Sequence, residues 1–210
     1  MVYFDSILDG YRRGIFPMAK SKDSREIMWV KPSERGVIPV GQLHISKSMR
    51  KHIKSRLITN TINNCFEEVV RRCADRPDTW INNDLSKFYK ELYARGYAFS
   101  IEIWSHEKLI GGLFGICIGS CFCGESMFSS EPNGSKLALI VTMARLIYNK
   151  FKLFDTQFPS DHLKSMGGCT ITQACYEKRL LACINDNQSL LQLPKNYSWV
   201  EILQLNNHKL

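Results

Sequence analysis

Apolar positions along the chain fall into two periods. Over residues 4–13 they recur as Phe4, Ile7, Leu8 and Tyr11, the spacing of a short helix, which the run Gly14 to Met18 ends. Residues 19–26 are polar and read as a loop. Two short apolar pieces follow, Ile27 to Val30 and Val37 to Val40. Ser46 caps a predicted helix over 46–57, where Ile45, Met49, Ile53 and Leu57 make an apolar stripe. The spacing predicts a further helix over 61–74, with Ile62, Cys65, Phe66, Val69, Val70 and Cys73 on one face. Another runs over 84–95 and stops at Gly96. The period then becomes two. Tyr97, Phe99, Ile101 and Ile103 alternate with Ala98, Ser100, Glu102 and Trp104, which is a strand. Ser105 to Lys108 turns into a second strand over 109–118, where Gly111 and Gly112 predict a bulge or a close backbone approach. Gly119-Ser120 leads into a third strand at 122–128. Leu139, Ile140, Met143, Leu146 and Ile147 predict a helix over 136–150, and 153–158 is strand-like again. A short helix over 159–166 and a last helix capped by Thr172, with Tyr176, Leu180 and Ile184 inward, complete the pattern. The tail after 185 reads as polar and partly extended.

Strand, helix and strand over 122–158 form a crossover unit, so those two strands are expected to be parallel. With the preceding hairpin this is an α+β layer. The element order matches an acetyltransferase-like (GNAT-like) fold, in which the two parallel strands splay apart and form a cleft. The first third of the chain lacks long periodic segments, so residues 1–34 are assigned to a small N-terminal domain and 35–210 to the main domain. Plain acetyltransferases hold the pyrophosphate of coenzyme A on a glycine-rich loop before the crossover helix. Here that loop, Ser129 to Lys136, has one glycine, and Pro132 removes an N–H donor, which disfavours coenzyme A.

A length of 210 residues suits one core with a small appended unit. No apolar run reaches membrane-spanning length, and the N-terminus carries Asp5 and Asp9 without a cleavage pattern, so a cytoplasmic protein with no membrane partner is expected. The net charge of +8 changes the picture by favouring a polyanionic partner. It gives weight to Lys47, Arg50, Lys51 and Lys54, which share one face of the 46–57 helix and read as a phosphate-binding ridge or as a solvated face. The eight cysteines form no C-x-x-C pair and read as reduced thiols that pack as small hydrophobes. Cys121 and Cys123 with His162 have little support as a zinc set, and no metal is expected.

Candidate chemistry sits in the crossover unit. Strand alternation places Asp155 and Gln157 on one face and Phe154, Thr156 and Phe158 on the other, with Glu125 on the face of Cys123 and Met127. Polar groups among apolar strands are costly to bury alone. They satisfy each other, as a network that fixes strand register, or they meet a ligand; alternation leaves both open. Trp80 reads as a packed tryptophan or as a base-stacking one. His44 and His162 have no neighbouring nucleophile and read as structural.

The runs Tyr11 to Pro17, Leu43 to Met49, Thr79-Trp80-Ile81, Phe122 to Ser129, Asn133 with Ser135-Lys136, Asp155 with Gln157, and Asp161-His162 with Ser165 and Gly167 are ordered along the chain. Together they resemble the bacterial leucyl/phenylalanyl-tRNA–protein transferases, over residues 7 to about 200. The resemblance implies transfer of Leu or Phe, with some Met, from charged tRNA to the α-amino group of proteins that begin with Arg or Lys. The product is marked for degradation. It implies Asp155 and Gln157 as the catalytic pair and Glu125 at the substrate pocket. Leu113, Leu139, Thr142, Leu146 and Phe154 become walls for the transferred side chain, and Trp80 a contact for the terminal adenosine. Met18 stands where many relatives carry Trp, and Thr142 where some carry an aromatic residue. Glu125 and Asp161 are both candidates for the carboxylate that meets the acceptor's cationic side chain. Aminolysis of an ester is downhill, so no cofactor is expected, and the enzyme is expected to act as a monomer. The alternatives are a non-catalytic tRNA-binding protein and a coenzyme A-dependent N-acyltransferase on the same fold.

Overall fold

The computed structural model describes residues 4–55, 57–192 and 197–207. In chain order, α1 (Phe4–Arg12) leads into an antiparallel pair, β1 (Phe16–Ala19) and β2 (Ile27–Val30). Next come β3 (Glu34–Val37), α2 (Lys47–Ser55), β4 (Ile58–Ile62), α3 (Phe66–Ala74) and α4 (Asn83–Ala94). The central unit is β5 (Ala98–Ser105), β6 (Lys108–Ile118), β7 (Cys121–Ser129), α5 (Gly134–Tyr148) and β8 (Leu153–Gln157). After it come α6 (Asp161–Ser165), β9 (Cys169–Thr172), α7 (Gln173–Leu181) and α8 (Trp199–Leu205).

A seven-stranded sheet runs in the order β4-β5-β6-β7-β8-β3-β9. Its pairs are antiparallel except β7 with β8, the parallel pair that α5 connects, as the crossover pattern predicts. α1 and the β1–β2 hairpin form a small N-terminal unit. It shares one apolar cluster with α3, α4 and α7 on one side of the sheet, through Leu8, Phe66, Tyr89 and Tyr176. The other side is covered by α5, α2 and α8. α5 is buried at every position from Leu137 to Leu146, so it lacks the polar face of a surface helix. The segment around Leu190 and α8 cover it: the Arg145 guanidinium donates to the Leu190 carbonyl at 3.1 Å and the Asn206 amide to the Ile140 carbonyl at 3.1 Å. Among the described residues no helix is long and apolar enough to cross a membrane.

Four expectations need correction. The helix expected over 61–74 begins only at Phe66. Residues 58–62 are an edge strand whose buried Ile58, Asn60 and Ile62 alternate with Thr59 and Thr61, and Asn63, at φ +55°, turns the chain into α3. Ile62 and Cys65 happen to lie one helical turn apart across that junction, which lets two elements read as one. Leu57 lies past the end of α2 and is 68% exposed, outside the stripe of Met49 and Ile53. Residues 169–172, for which the spacing predicts no element, are a strand that ends at the expected Thr172 cap. The tail folds back as α8, whose Trp199 indole donates to the Ile58 carbonyl at 2.7 Å.

Gly111 shows both features expected of it. β5 pairs Ile103 with Gly111 but Trp104 with Leu109, leaving Ile110 as the extra residue of a bulge. A Cβ on Gly111 would lie 2.4 Å from the Gly134 carbonyl carbon, where α5 begins. Both partners are backbone and cannot move aside. Gly111→Ala is therefore expected to lower stability by about 3 kcal/mol. Gly96→Ala, where φ is +78° and nothing lies within 4 Å, costs only backbone strain of about 1 kcal/mol. Urea unfolding midpoints of the two variants check the difference.

Candidate active site

β7 and β8 pair at Cys121–Leu153, Phe122–Phe154 and Cys123–Asp155, and no further. Beyond that point both strands are irregular. In β7 the partners of Phe114 and Gly115 are Ser126 and Gly124, so Glu125 is the extra residue of a bulge. In β8 Gln157 has φ +60°, and the Phe158 N–H donates to the Thr156 carbonyl at 2.7 Å. That is a γ-turn with positive φ, a strained conformation for a residue with a side chain. The bulge breaks the alternation expected from sequence. Cys123 and Phe128 face the α3–α4 side, whereas Met127 packs on the α5 side, so Cys123, Glu125 and Met127 do not share a face. The γ-turn likewise separates Phe158 from Phe154: Phe158 meets Phe16 edge-on at 5.6 Å, and Phe154 lies in the α5 cluster.

Asp155 is fully buried and held from three directions. Arg35 donates Nε to Oδ1 at 2.8 Å and Nη2 to Oδ2 at 2.6 Å, a bidentate ion pair with both side chains at zero exposure. The Tyr176 hydroxyl donates to Oδ2 at 2.9 Å. The Gln157 backbone N–H donates to Oδ1 at 2.8 Å, so Asp155 holds the strained turn in place. Arg35 also donates Nη1 to the Gly14 carbonyl at 3.0 Å and lies against the rings of Phe16 and Tyr176, 4.7 and 4.1 Å from their centroids. Asp155 raises the Arg35 pKa above its ordinary value against the opposing effect of burial.

The Gln157 side chain reaches Glu125. Its Nε2 donates to Glu125 Oε1 at 2.8 Å, and the Tyr89 hydroxyl donates to Oε2 at 2.8 Å. Burial pushes the Glu125 pKa up to about 7; Tyr89 and the nearby Tyr11 hydroxyl pull it down, Asp155 pushes it up and Arg35 opposes Asp155. Tyr11 Oη lies close to this group without completing a hydrogen bond. Both Glu125 oxygens are engaged, and Gln157 Oε1 has no hydrogen-bond partner among the described residues. Bulge, turn, ion pair and tyrosines thus converge on one unengaged carbonyl oxygen where two strands part.

Leu113, Leu139, Leu146 and Phe154 share the α5-side cluster, and Thr142 is buried there with its hydroxyl donating to the Ala138 carbonyl at 2.8 Å. Trp80 lies on the opposite side of the sheet, half-buried, edge-on to Tyr89 at 6.3 Å, with Met18 packed against the same cluster. Lys47, Arg50, Lys51 and Lys54 line one shallow surface recess, with Arg50 also donating to Asn207 Oδ1 at 2.8 Å. Asp161 is exposed, with Lys164 at 3.7 Å. Cys121 and Cys123 bring their sulfurs to 3.8 Å within the α3–α4 cluster, while the charge that acts on His162 is that of Lys136. Sequence reasoning assigned no role here to Arg35, Tyr89, Tyr176 or Tyr11. The available signal was a lone arginine in the short segment Glu34-Arg35-Gly36-Val37 and hydroxyl-bearing rings on helix faces expected to be buried.

Sequence models of two adjoining regions match this chain: Leucyl/phenylalanyl-tRNA protein transferase over residues 37–181, and the N-terminal domain of the same over residues 4–33. Relatives named leucyl/phenylalanyl-tRNA–protein transferase match it over most of the chain. That of Maricaulis maris is 41% identical over 204 residues, covering 95% of this chain and 94% of its own. That of Paramagnetospirillum magneticum is 42% identical over 180 residues, covering 84% and 86%. That of Paracoccus denitrificans is 44% identical over 180 residues, covering 86% and 85%. The protein is thereby placed in a class of transferases. It belongs to the leucyl/phenylalanyl-tRNA–protein transferase family.

Two predictions follow from the geometry. Arg35→Met leaves Asp155 buried without its cation and is expected to cost about 3–5 kcal/mol of stability in urea unfolding; Arg35→Lys recovers only part, since it loses the second parallel hydrogen bond. Glu125 keeps its proton in the folded state up to about pH 7, above its ordinary value of 4.5. Between those values the folded state binds more protons than the unfolded one. Stability is then fully present below about pH 4.5 and falls, by on the order of 3 kcal/mol, as pH rises toward about 7. Glu125→Gln removes that contribution to the slope, which unfolding midpoints between pH 5 and 8 read directly.

Proposed function

We propose that this chain moves a leucyl or phenylalanyl group from the 3′ end of charged tRNA to the α-amino group of proteins that begin with Arg or Lys, which marks them for degradation. The observation that carries this reading is the unengaged Gln157 Oε1, held by a strained turn, a carboxylate on each side and a buried cation. The fold reading that goes with it is acetyltransferase-like, with residues 1–34 as the N-terminal domain and 35–210 as the catalytic one. The enzyme works in the cytoplasm as a monomer.

In the reaction the α-amine attacks the ester carbonyl carbon, the new C–N bond forms, and the bond to the ribose oxygen breaks. The proton lost by the amine ends on that oxygen. An α-amino group with a pKa near 7.7–8.0 is roughly one-tenth neutral near pH 7, so orientation supplies much of the rate. Gln157 Oε1 accepts a hydrogen bond from the attacking amine and aims its lone pair. Asp155 acts at one remove: its oxygens are engaged by Arg35, Tyr176 and the Gln157 N–H, which suits it to position Gln157 rather than to take a proton.

The remaining roles follow the same reading. Leu113, Leu139, Thr142, Leu146 and Phe154 form the walls for the Leu or Phe side chain once the parted strands admit it. An apolar wall separates homologues by only about 1–3 kcal/mol per methylene, so some Met is transferred too. Trp80 meets the terminal adenosine. Lys47, Arg50, Lys51 and Lys54 hold the acceptor arm through phosphates. Of the two carboxylates that could meet the acceptor's cationic side chain, Asp161 has the spare capacity, because both Glu125 oxygens already accept hydrogen bonds.

The test mixes the protein with labelled leucyl-tRNA and a peptide that begins with Arg, beside peptides that begin with Asp or carry an acetylated N-terminus. Label is expected only on the free Arg peptide; label on none of them, with leucyl-tRNA still bound, points to a binding protein and sinks the reading. Gln157→Ala is expected to lower turnover by about 100-fold with tRNA affinity nearly unchanged. A large loss of affinity in a folded variant instead refutes the role given to Gln157.

A further inference from the structure

A basin of about 450 Å³ lies between α2, the start of α5 and the end of α6, lined among others by His44, Ser46, His52, Asn133, Lys136 and Ser165. Neither aspartate nor glutamate lines it. Lys136 is half-buried and has no carboxylate or other hydrogen-bond partner among the described residues. Asn133 is held at φ +75° and its side chain caps nothing, so the side chain is free for a ligand. The His44 side chain likewise has no partner among the described residues. A half-buried cation beside the His44 imidazole and an idle amide, with no carboxylate in the lining, is a donor set that suits an anion.

Its position selects which anion. Along one wall the basin uses Ser48, Met49 and His52 of α2, the helix that carries the basic ridge. On the opposite wall Asn133 and Lys136 begin α5, and the Ser135 N–H there is tied to Ser129 Oγ, at the end of β7, at 2.7 Å. Ser165 belongs to α6, which starts four residues after Gln157. Lys136 precedes Leu139 by three positions, so the two are neighbours on one face of α5. The basin therefore lies between the helix that carries the basic ridge and the start of α5, the helix that joins the parted strands β7 and β8.

We propose that this basin binds a backbone phosphodiester of the unpaired 3′ end of the donor tRNA, through Lys136 Nζ, the Asn133 amide and the His44 imidazole; the assignment rests on the transferase reading above. The site fixes the last nucleotides so that the ester carbonyl arrives at Gln157 instead of swinging about a distant duplex contact.

Leucyl-adenosine with a free 5′-hydroxyl and the same donor with a 5′-phosphate are compared in transfer to an Arg peptide. In the unaltered protein the phosphorylated donor is expected to have a KM about ten-fold lower at the same kcat, and in Lys136→Gln and in His44→Gln the gap closes to about two-fold or less. Equal KM values for the two donors in the unaltered protein, or a gap retained by both variants, overturns the proposal. Absence of product even from intact leucyl-tRNA is the separate failure of the transferase reading. In that event, binding of the trinucleotide CCA decides for the basin: several-fold weaker binding by Lys136→Gln supports it and equal binding overturns it. Competition by inorganic phosphate as effective as by CCA shows a site for phosphate in general and overturns the assignment to an RNA end.

Discussion

The bidentate pair between Arg35 and Asp155 is the constraint on which this structure turns. It is buried on both sides, and it ties three distant parts of the chain together: β3, β8 and, through the Gly14 carbonyl, the end of α1. A buried ion pair gains little net stability over a well-packed apolar pair, and its desolvation has to be offset by good geometry and further hydrogen bonds. Here the offsets are visible. Asp155 accepts from Tyr176 and from the Gln157 N–H, and Arg35 is enclosed by two aromatic faces. What the pair secures is a shape. It places β3 beside β8 and holds Gln157 in a turn that its side chain would otherwise make unfavourable.

That shape explains why the sheet opens where it does. A regular parallel pair would continue past Cys123 and Asp155 and would keep the backbones of Glu125 and Gln157 in the ladder. Two local departures prevent this, an extra residue at Glu125 in β7 and a positive φ at Gln157 in β8. Each alone would turn one side chain aside. Together they turn both toward each other, at 2.8 Å, in a pocket completed by Tyr89. The cost of both irregularities falls on residues that the surrounding packing over-determines.

The long periodic segments were legible because burial on one side leaves a clear imprint: β5, β6, α4 and α5, and the parallel crossover, follow directly from spacing. Short elements were not. β4 and α3 merged because Ile62, Cys65 and Phe66 satisfy a helical period across a strand-to-helix junction. α8 went unseen although Trp199, Ile202 and Leu203 keep a helical spacing, because the helix is only seven residues long and its next inward position is the polar Asn206. At the site, Glu125, Asp155 and Gln157 stood out as polar groups in apolar strands and lie on the faces that alternation gives them; Met127 and Phe158, beyond the bulge and the γ-turn, do not. Arg35 was invisible because its partner lies 120 residues away and a lone arginine in a short segment looks like a surface turn.

The direction of the Gln157 amide follows from its neighbour. A carboxylate only accepts, so an ionised Glu125 selects the rotamer with Nε2 toward it and Oε1 outward. A protonated Glu125 can donate, and the same pair can then form with the amide reversed, which turns an N–H outward in place of an acceptor. The two states lie close in energy because burial brings the Glu125 pKa to about 7 while Tyr89 holds the ionised form within reach. The protonation state of Glu125 is thus coupled to the orientation of the Gln157 amide. The Tyr89 hydroxyl, from α4 on the side of the sheet that Cys123 faces, donates to Glu125 Oε2 and favours the ionised form, against burial, which favours the protonated one.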